Sequence, residues 1–374
     1  MAADWAGERS IQAVHRAFNR LKQQALLLRY VVTAGCRYTW QTLKNCIKSL
    51  LGRKAFHDPR LEFFRQYFLH LTRRRPIWAI TFDANPAHAA IEGPCSQAFL
   101  AMSTMAFARA SGLTYLHSPF SSLRHADRPM PEWVAGWEKV FNLGAGETPC
   151  NGRRAGVVNN SYTLEDLDLC FGWRERRAEL DDCFKAMIPE FRCKYYANKT
   201  PRAARNLTVA LHIRRHDVSV GKNIHMYTSN AKILQIANGV KSMLDARQVP
   251  FDLKIYGQGK IGDFPELSSL AAEFFLGADP IWTLEEMVEA DVLIVAKSCF
   301  SYYAGLISDG IKIFEPCGRP RLNNVFTAPY EWMFFRDLDG WLACDEDGAI
   351  DRAAFENRIA LLLDGRNTAE PDNP

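Results

Sequence analysis

The residues with the most chemical capacity lie in one run, His212-Ile213-Arg214-Arg215-His216-Asp217. It closes an apolar stretch at 207–213 whose composition predicts a buried strand, and open parallel sheets hold their ligands at the carboxyl ends of such strands. Side chains of an extended backbone alternate faces, so His212 and Arg214 project together and Arg215 points the other way. Arg214 is therefore the first candidate for a ligand contact, while Arg215 either braces the loop or pairs with Asp217. A guanidinium donates two parallel hydrogen bonds to phosphate oxygens and keeps its charge at any working pH. That suits a diphosphate leaving group, on which negative charge grows as the bond to it breaks.

A second run, Lys297-Ser298-Cys299-Phe300-Ser301-Tyr302, falls between an expected strand at 291–296 and an expected helix at 302–308. A helix N-terminus offers unpaired N–H groups and partial positive charge, and serine hydroxyls add donors, so this turn is a candidate for gripping the same anion from the other side. Serine is equally a common N-cap where nothing binds. In the first half, the turn from Gly93 to Gln97 lets backbone approach a sugar closely, although it lacks two of the three glycines of a dinucleotide-binding fingerprint. Asp83, Glu92, His117 and His125 are candidate general bases there. Three D-x-D triplets, at Asp166, Asp337 and Asp345, follow no convincing buried strand; they read as solvated carboxylates, and no metal is expected.

The elements that must position these groups alternate along the chain. Strands are expected at 77–82 and 114–117 with helices after Gly93 and at 132–140, then a loop at 144–165 and a helix at 180–191. From 207 the alternation is sharper: strand 207–213, helix 229–247, strand 251–256, helices at 264–273 and 285–290, strand 291–296, helix 302–308 and strand 311–314. This is the grammar of doubly wound parallel sheets. The expected organisation is α/β, with a basic amphipathic helical extension at 1–75, a Rossmann-like acceptor domain at 76–200, a Rossmann-like donor domain at 201–330 and a C-terminal helical segment with a tail at 331–374.

With 374 residues, 48% of them hydrophobic and 24% charged, the chain has material for two cores and is not of a disordered class. Its net charge of +4 hides an asymmetry, because residues 1–75 carry +11 and the remainder −7. Apolar positions at helical spacing within 10–54, interleaved with Lys and Arg, either pack on the body or lie on an anionic membrane surface. No stretch reaches the ~20 apolar residues of a membrane span, and the start lacks the form of a signal peptide. The ten cysteines include no C-x-x-C pair, so neither a zinc site nor a dithiol motif is suggested. A cytoplasmic protein, at most peripheral to the inner membrane face, is the expectation. Nothing resembles an aromatic-interleaved basic surface for nucleic acid.

The run from His212 to Asp217 resembles the H-x-R-R-x-D motif of the fucosyltransferase superfamily, which includes bacterial α-1,2- and nodulation-type α-1,6-fucosyltransferases. Gly93 to Gln97 resembles that family's early G-x-x-x-Q turn. Ile255 to Gly259 falls where its second donor-site strand belongs, although Gln258-Gly259-Lys260 stands where the family has an acidic pair. Ser298 to Tyr302 resembles its S-S-F-S-aromatic segment. The resemblance implies a GT-B fold, inversion at the anomeric carbon, no metal, no cofactor beyond the GDP-sugar donor (GDP-fucose first) and a glycan acceptor. It places Arg214 on the donor diphosphate, with Arg215, Gln258, Ser298, Cys299, Phe300, Ser301, Gly93 and Gln97 around the substrates. His212 joins Arg214 on the diphosphate, and Asp217 or a group of the first half serves as base. The second reading is a non-catalytic protein that keeps the fold and binds a GDP-sugar or glycan.

Overall fold

A computed structural model describes residues 77–83, 93–152, 156–159, 177–200, 206–316, 338 and 340–369. The amphipathic runs within 1–75, Glu92 and the acidic residues at 166, 168, 337 and 339 lie outside them. The chain divides into two compact units. One holds the described residues within Met1–Ile91, Leu100–Ser122 and Gly146–Phe184, and the other holds Glu92–Phe99, Leu123–Ala145 and Lys185–Pro374. The second unit therefore includes pieces from well before residue 201. Among the described residues no helix is long and apolar enough to cross a membrane.

Each unit is built on a parallel sheet, which makes the chain an α/β protein. In the first, the strands are β1 (Ala79–Thr81), β2 (Thr114–His117), β3 (Thr148–Pro149) and β4 (Val157–Asn159), in the order β3-β2-β1-β4. Between β1 and β2 runs helix α1 (Pro94–Ser111), and β2 is followed by α2 (Met130–Phe141). The stretch at 144–165 was expected to be loop throughout, but it contributes β3 and β4, two strands too short for their alternation to show.

Helix α3 (Arg177–Tyr196) leads to the larger sheet, formed by β5 (Leu207–Ile213), β6 (Phe251–Gly257), β7 (Glu273–Leu276), β8 (Val292–Val295), β9 (Ile311–Phe314) and β10 (Trp341–Ala343). Its order is β10-β9-β8-β5-β6-β7, every pair parallel. Counted within the sheet this is 6-5-4-1-2-3, the dinucleotide-fold order, whose direction of winding reverses between the first and fourth strands, here β5 and β8. Helices α4 (Asn230–Ala246), α5 (Pro280–Val288), α6 (Cys299–Ile307) and α7 (Arg352–Ala369) complete the unit.

β5 is central, which explains its composition. A strand with neighbours on both sides and helices over both faces needs apolar side chains at successive positions, and Leu207, Val209, Ala210, Leu211 and Ile213 are each at most 2% exposed. Each large aliphatic chain buried in this way contributes about 1.5–3 kcal/mol. The strand is locked at its start by Asp291, whose Oδ2 accepts from the Thr208 N–H at 2.7 Å while its own N–H donates to the Thr208 carbonyl. On one face Ile233, Ile236, Val240 and Leu244 of α4 pack into the same core. Gly257 ends β6 beside Ile213, where a Cβ would lie 2.9 Å from the Ile213 carbonyl oxygen, so glycine lets the two strand ends meet.

The helix expected at 264–273 is not formed. Two 3-10 turns, Ile261–Asp263 and Pro265–Ser269, lead into β7. Buried Phe264, Leu267 and Leu270 recur every three residues, the period of a 3-10 helix, and the Ser268 hydroxyl donates back to the Pro265 carbonyl at 2.6 Å.

Candidate functional site

The carboxyl ends of β5, β8 and β9 and the first turns of α4 and α6 converge in the second unit. Leu211 to Arg215, Thr228, Val295 to Lys297 and Glu315 line a narrow crevice with room of about 20 Å³, the space of a single water. Three of its lining groups are cationic and one is a carboxylate.

Arg214 leaves β5 with its guanidinium held on two sides. Nε and Nη2 donate to the two oxygens of Asp217 at 3.1 and 2.7 Å, and Nη1 donates to the Lys297 carbonyl at 3.0 Å. The pair is half-buried, and the Arg214 hydrogen bonds outweigh burial in holding the Asp217 carboxyl below the usual carboxylate range. Arg214 thus bridges the loop after the first strand and the turn after the fourth, across the point where the sheet reverses its winding. Arg215 braces the loop, with Nη1 on the Arg214 carbonyl at 2.8 Å, Nη2 on the Thr228 carbonyl at 3.0 Å and the guanidinium over the Tyr227 ring. It is Arg214, not Arg215, that pairs with Asp217.

His212 packs against Phe300, with ring centroids 5.5 Å apart, and its Nδ1 is buried without a hydrogen-bond partner. Burial first, and then the positive charge of Arg214, pull its pKa down to about 3. His212 is consequently a neutral imidazole at any ordinary pH, offering an N–H donor and no positive charge. Unfolded chain takes up a proton near pH 6.5 and folded chain does not, so this group's stabilising effect is complete above pH 6.5 and is lost as pH falls toward 3. Denaturant titrations of His212→Asn are expected to show a shallower loss of stability between pH 6.5 and 4.5 than the parent. An equal slope in the two proteins would contradict the buried neutral ring.

Ser298 is the N-cap of α6, its Oγ accepting the Phe300 N–H at 3.3 Å, which leaves the hydroxyl proton available to donate. Ser301 is wholly buried and closes the turn, accepting from the Ala296 N–H at 3.1 Å and donating to the Ala296 carbonyl at 3.3 Å. Cys299 is a buried thiol outside any disulfide. Gln258 is exposed on the loop after β6, whereas Gln97 is fully buried within α1. A Cβ on Gly93 would make only an ordinary 3.6 Å contact with the His125 ring, so the fold itself does not require glycine there. His125 is in the left-handed region at the surface, and partial desolvation first, then Arg124, lower its pKa against the opposing pull of Asp217.

Sequence reasoning missed the carboxylate that lines the same crevice as Arg214. Glu315 follows β9 and accepts from Thr228 Oγ1 at 2.7 Å, Lys232 Nζ at 2.8 Å and Lys297 Nζ at 2.8 Å. Burial would raise its pKa, but these three donors hold it below the ordinary value. The strand-end rule that selected Arg214 would have selected Glu315 had it been applied to 311–314.

The first unit has its own reversal point, between β1 and β4. Asn159 Oδ1 accepts the Asp83 N–H at 2.9 Å and Asn159 Nδ2 donates to the Asp83 carbonyl at 3.3 Å. The Asp83 side chain is half-buried there, and desolvation raises its pKa. His117 ends β2 with Nδ1 3.4 Å from the Tyr115 hydroxyl. The D-x-D triplet at Asp345 is a loop clamp, with Oδ1 accepting the N–H groups of Asp347 and Ala349. Among the described residues no group of three or more His, Cys, Asp or Glu is placed to hold a metal ion.

No protein-family model matches this chain, and no curated protein does. Among solved structures it is similar to POFUT1 in complex with GDP, at 14% identity and TM-score 0.34 over 64% of this chain and 98% of that one. POFUT1 in complex with GDP-fucose matches with the same figures, 14% identity, TM-score 0.34 and coverage of 64% and 98%. The fucosyltransferase NodZ from Bradyrhizobium matches at 11% identity and TM-score 0.27, over 62% of this chain and 92% of that one.

Proposed function

We propose that the chain is an inverting, metal-independent glycosyltransferase of GT-B arrangement that transfers a sugar, fucose from GDP-fucose, to a hydroxyl of a glycan. The observation that carries this reading is the place of Arg214. It stands at the carboxyl end of the first strand in a dinucleotide-fold sheet, bonded to the turn that opens α6 after the fourth strand. Backbone N–H groups of α6, the Ser298 hydroxyl and the Arg214 guanidinium then face an anion without any rearrangement of charge during the reaction. The H-x-R-R-x-D resemblance narrows that anion to a GDP leaving group.

In this mechanism the acceptor oxygen attacks the anomeric carbon from the face opposite the diphosphate. The bond to the diphosphate breaks with its electron pair, which passes to the β-phosphate oxygen beside Arg214, and the acceptor proton goes to a carboxylate. Asp217 is a poor recipient, because its fork with Arg214 depresses its proton affinity. Among the candidate bases of the first half, Asp83 has its proton affinity raised by burial, the direction a general base requires, and it is the one tested first.

The test is GDP release from GDP-fucose in the presence of EDTA and a pool of glycan acceptors. Wild type is expected to turn over, and Asp83→Asn to lose about 10²–10⁴-fold in rate, as removal of a general base does, with GDP affinity by calorimetry unchanged within about twofold. Tight GDP-fucose binding with no sugar release from wild type would instead establish a non-catalytic binder.

A further inference from the structure

From the bonds around Glu315 we infer that it is the positioning residue of the anion site, acting through Lys297 on Arg214, with Thr228 fixing the shared Glu315 oxygen that holds Lys297. The two arginines are not held by carboxylates alone. Arg214 Nη1 is fixed by the carbonyl of Lys297, and Arg215 Nη2 by the carbonyl of Thr228. Those carbonyls belong to the two residues whose side chains converge on one oxygen of Glu315, Thr228 Oγ1 at 2.7 Å and Lys297 Nζ at 2.8 Å. Lys297 Nζ makes a second bond, to the Tyr227 carbonyl at 3.3 Å, so the loop after β5 and the turn after β8 are sewn together at this point. The other oxygen takes Lys232 Nζ from the first turn of α4.

Each part of this arrangement is suited to holding, not to binding. Glu315 is only 18% exposed and Lys297 only 10%, and each ends in a partner within the protein. A buried carboxylate that accepts three charge-assisted or hydroxyl bonds has one orientation, and it passes that rigidity to whatever its partners carry. Here they carry carbonyls that Arg214 Nη1 and Arg215 Nη2 donate to across loops. Loss of the Glu315 charge leaves Lys297 and Lys232 facing each other with no counter-charge between them. Their mutual repulsion moves the Lys297 turn, and Arg214 with it.

The inference rests on the reading of Arg214 as a GDP-binding group, and a cycle of variants separates the two. GDP affinity is measured calorimetrically for wild type, Arg214→Lys, Glu315→Gln and the double variant, together with Thr228→Val, which removes one hydroxyl and keeps the shape. Arg214→Lys is expected to weaken GDP by at least about tenfold, since a point charge replaces a fork. Glu315→Gln is expected to weaken it by about tenfold and Thr228→Val by about threefold, the scale of one misplaced charge-assisted bond. A residue acting through Arg214 has little left to disturb once the fork is gone, so the double variant is expected to match Arg214→Lys within about twofold. A role for Glu315 in the fold alone predicts losses that multiply, and that outcome overturns the inference. Wild-type affinity in both Glu315→Gln and Thr228→Val overturns it as well; should Glu315→Gln fail to fold, Thr228→Val decides alone. Wild-type affinity in Arg214→Lys sinks the nucleotide reading itself.

Discussion

Arg214→Ala is expected to abolish sugar transfer, lowering kcat/KM by at least about 10²–10³-fold, the loss that follows removal of one preorganised donor to a developing anion. The fold is expected to survive. The Arg214 and Asp217 side chains are 25% and 34% exposed, and an ion pair that wet contributes at most about 1 kcal/mol to stability after screening. Removing the guanidinium leaves Asp217 able to take water, and none of the core residues of β5 is touched. The measurement is a pair, GDP release from GDP-fucose beside thermal unfolding. Undiminished turnover with an unchanged melting curve would end the assignment of the site.

Gly310→Ala is expected to be the most destabilising small substitution of the second unit. The residue sits in the turn between α6 and β9, where an added Cβ would lie 2.6 Å from the Asp291 carbonyl oxygen and closer still to that of Ala290. Both obstacles are backbone, and they belong to the segment that enters β8 and receives the Ile311 N–H on Asp291 at 2.8 Å. Neither can swing aside as a side chain would, so β8 and β9 must separate. Overpacking of this kind costs roughly 1–3 kcal/mol, occasionally more, and should lower the melting temperature by several degrees in a unit of this size. Differential scanning calorimetry checks it; a Tm within a degree of wild type would mean that the strand entry yields far more readily than its packing indicates.

What could be read from the sequence followed burial. The bounds of β2, β5 and β9 coincide with the expected strands, because each is a short apolar run ended by polar or turn residues. β7 was hidden because Glu273 and Phe274 could equally close a helical face, and Pro265 with its serines masked the three-residue period of the turns before it. β10 has three residues and no alternation to detect. The functional groups divide in the same way. Arg214, Arg215, Ser298 and His212 announce themselves by their place at or after strand ends. Their charge states do not follow, since the neutrality of His212 comes from the packing of Phe300 and the proximity of Arg214. Nor do their anchors, because Thr228, Lys232, Lys297 and Glu315 are 87 residues apart at the extremes and meet only once the sheet is wound.

The two carboxylates at the ends of β5 and β9 bear on how the unit folds before any nucleotide arrives. Four basic groups gathered at one sheet edge would repel one another in the empty state, and a site of that kind is commonly ordered only by its ligand. Asp217 and Glu315 are internal counter-ions that let the basic edge close unaided. The basic groups at this end of the sheet are therefore held in place by charges the chain itself supplies.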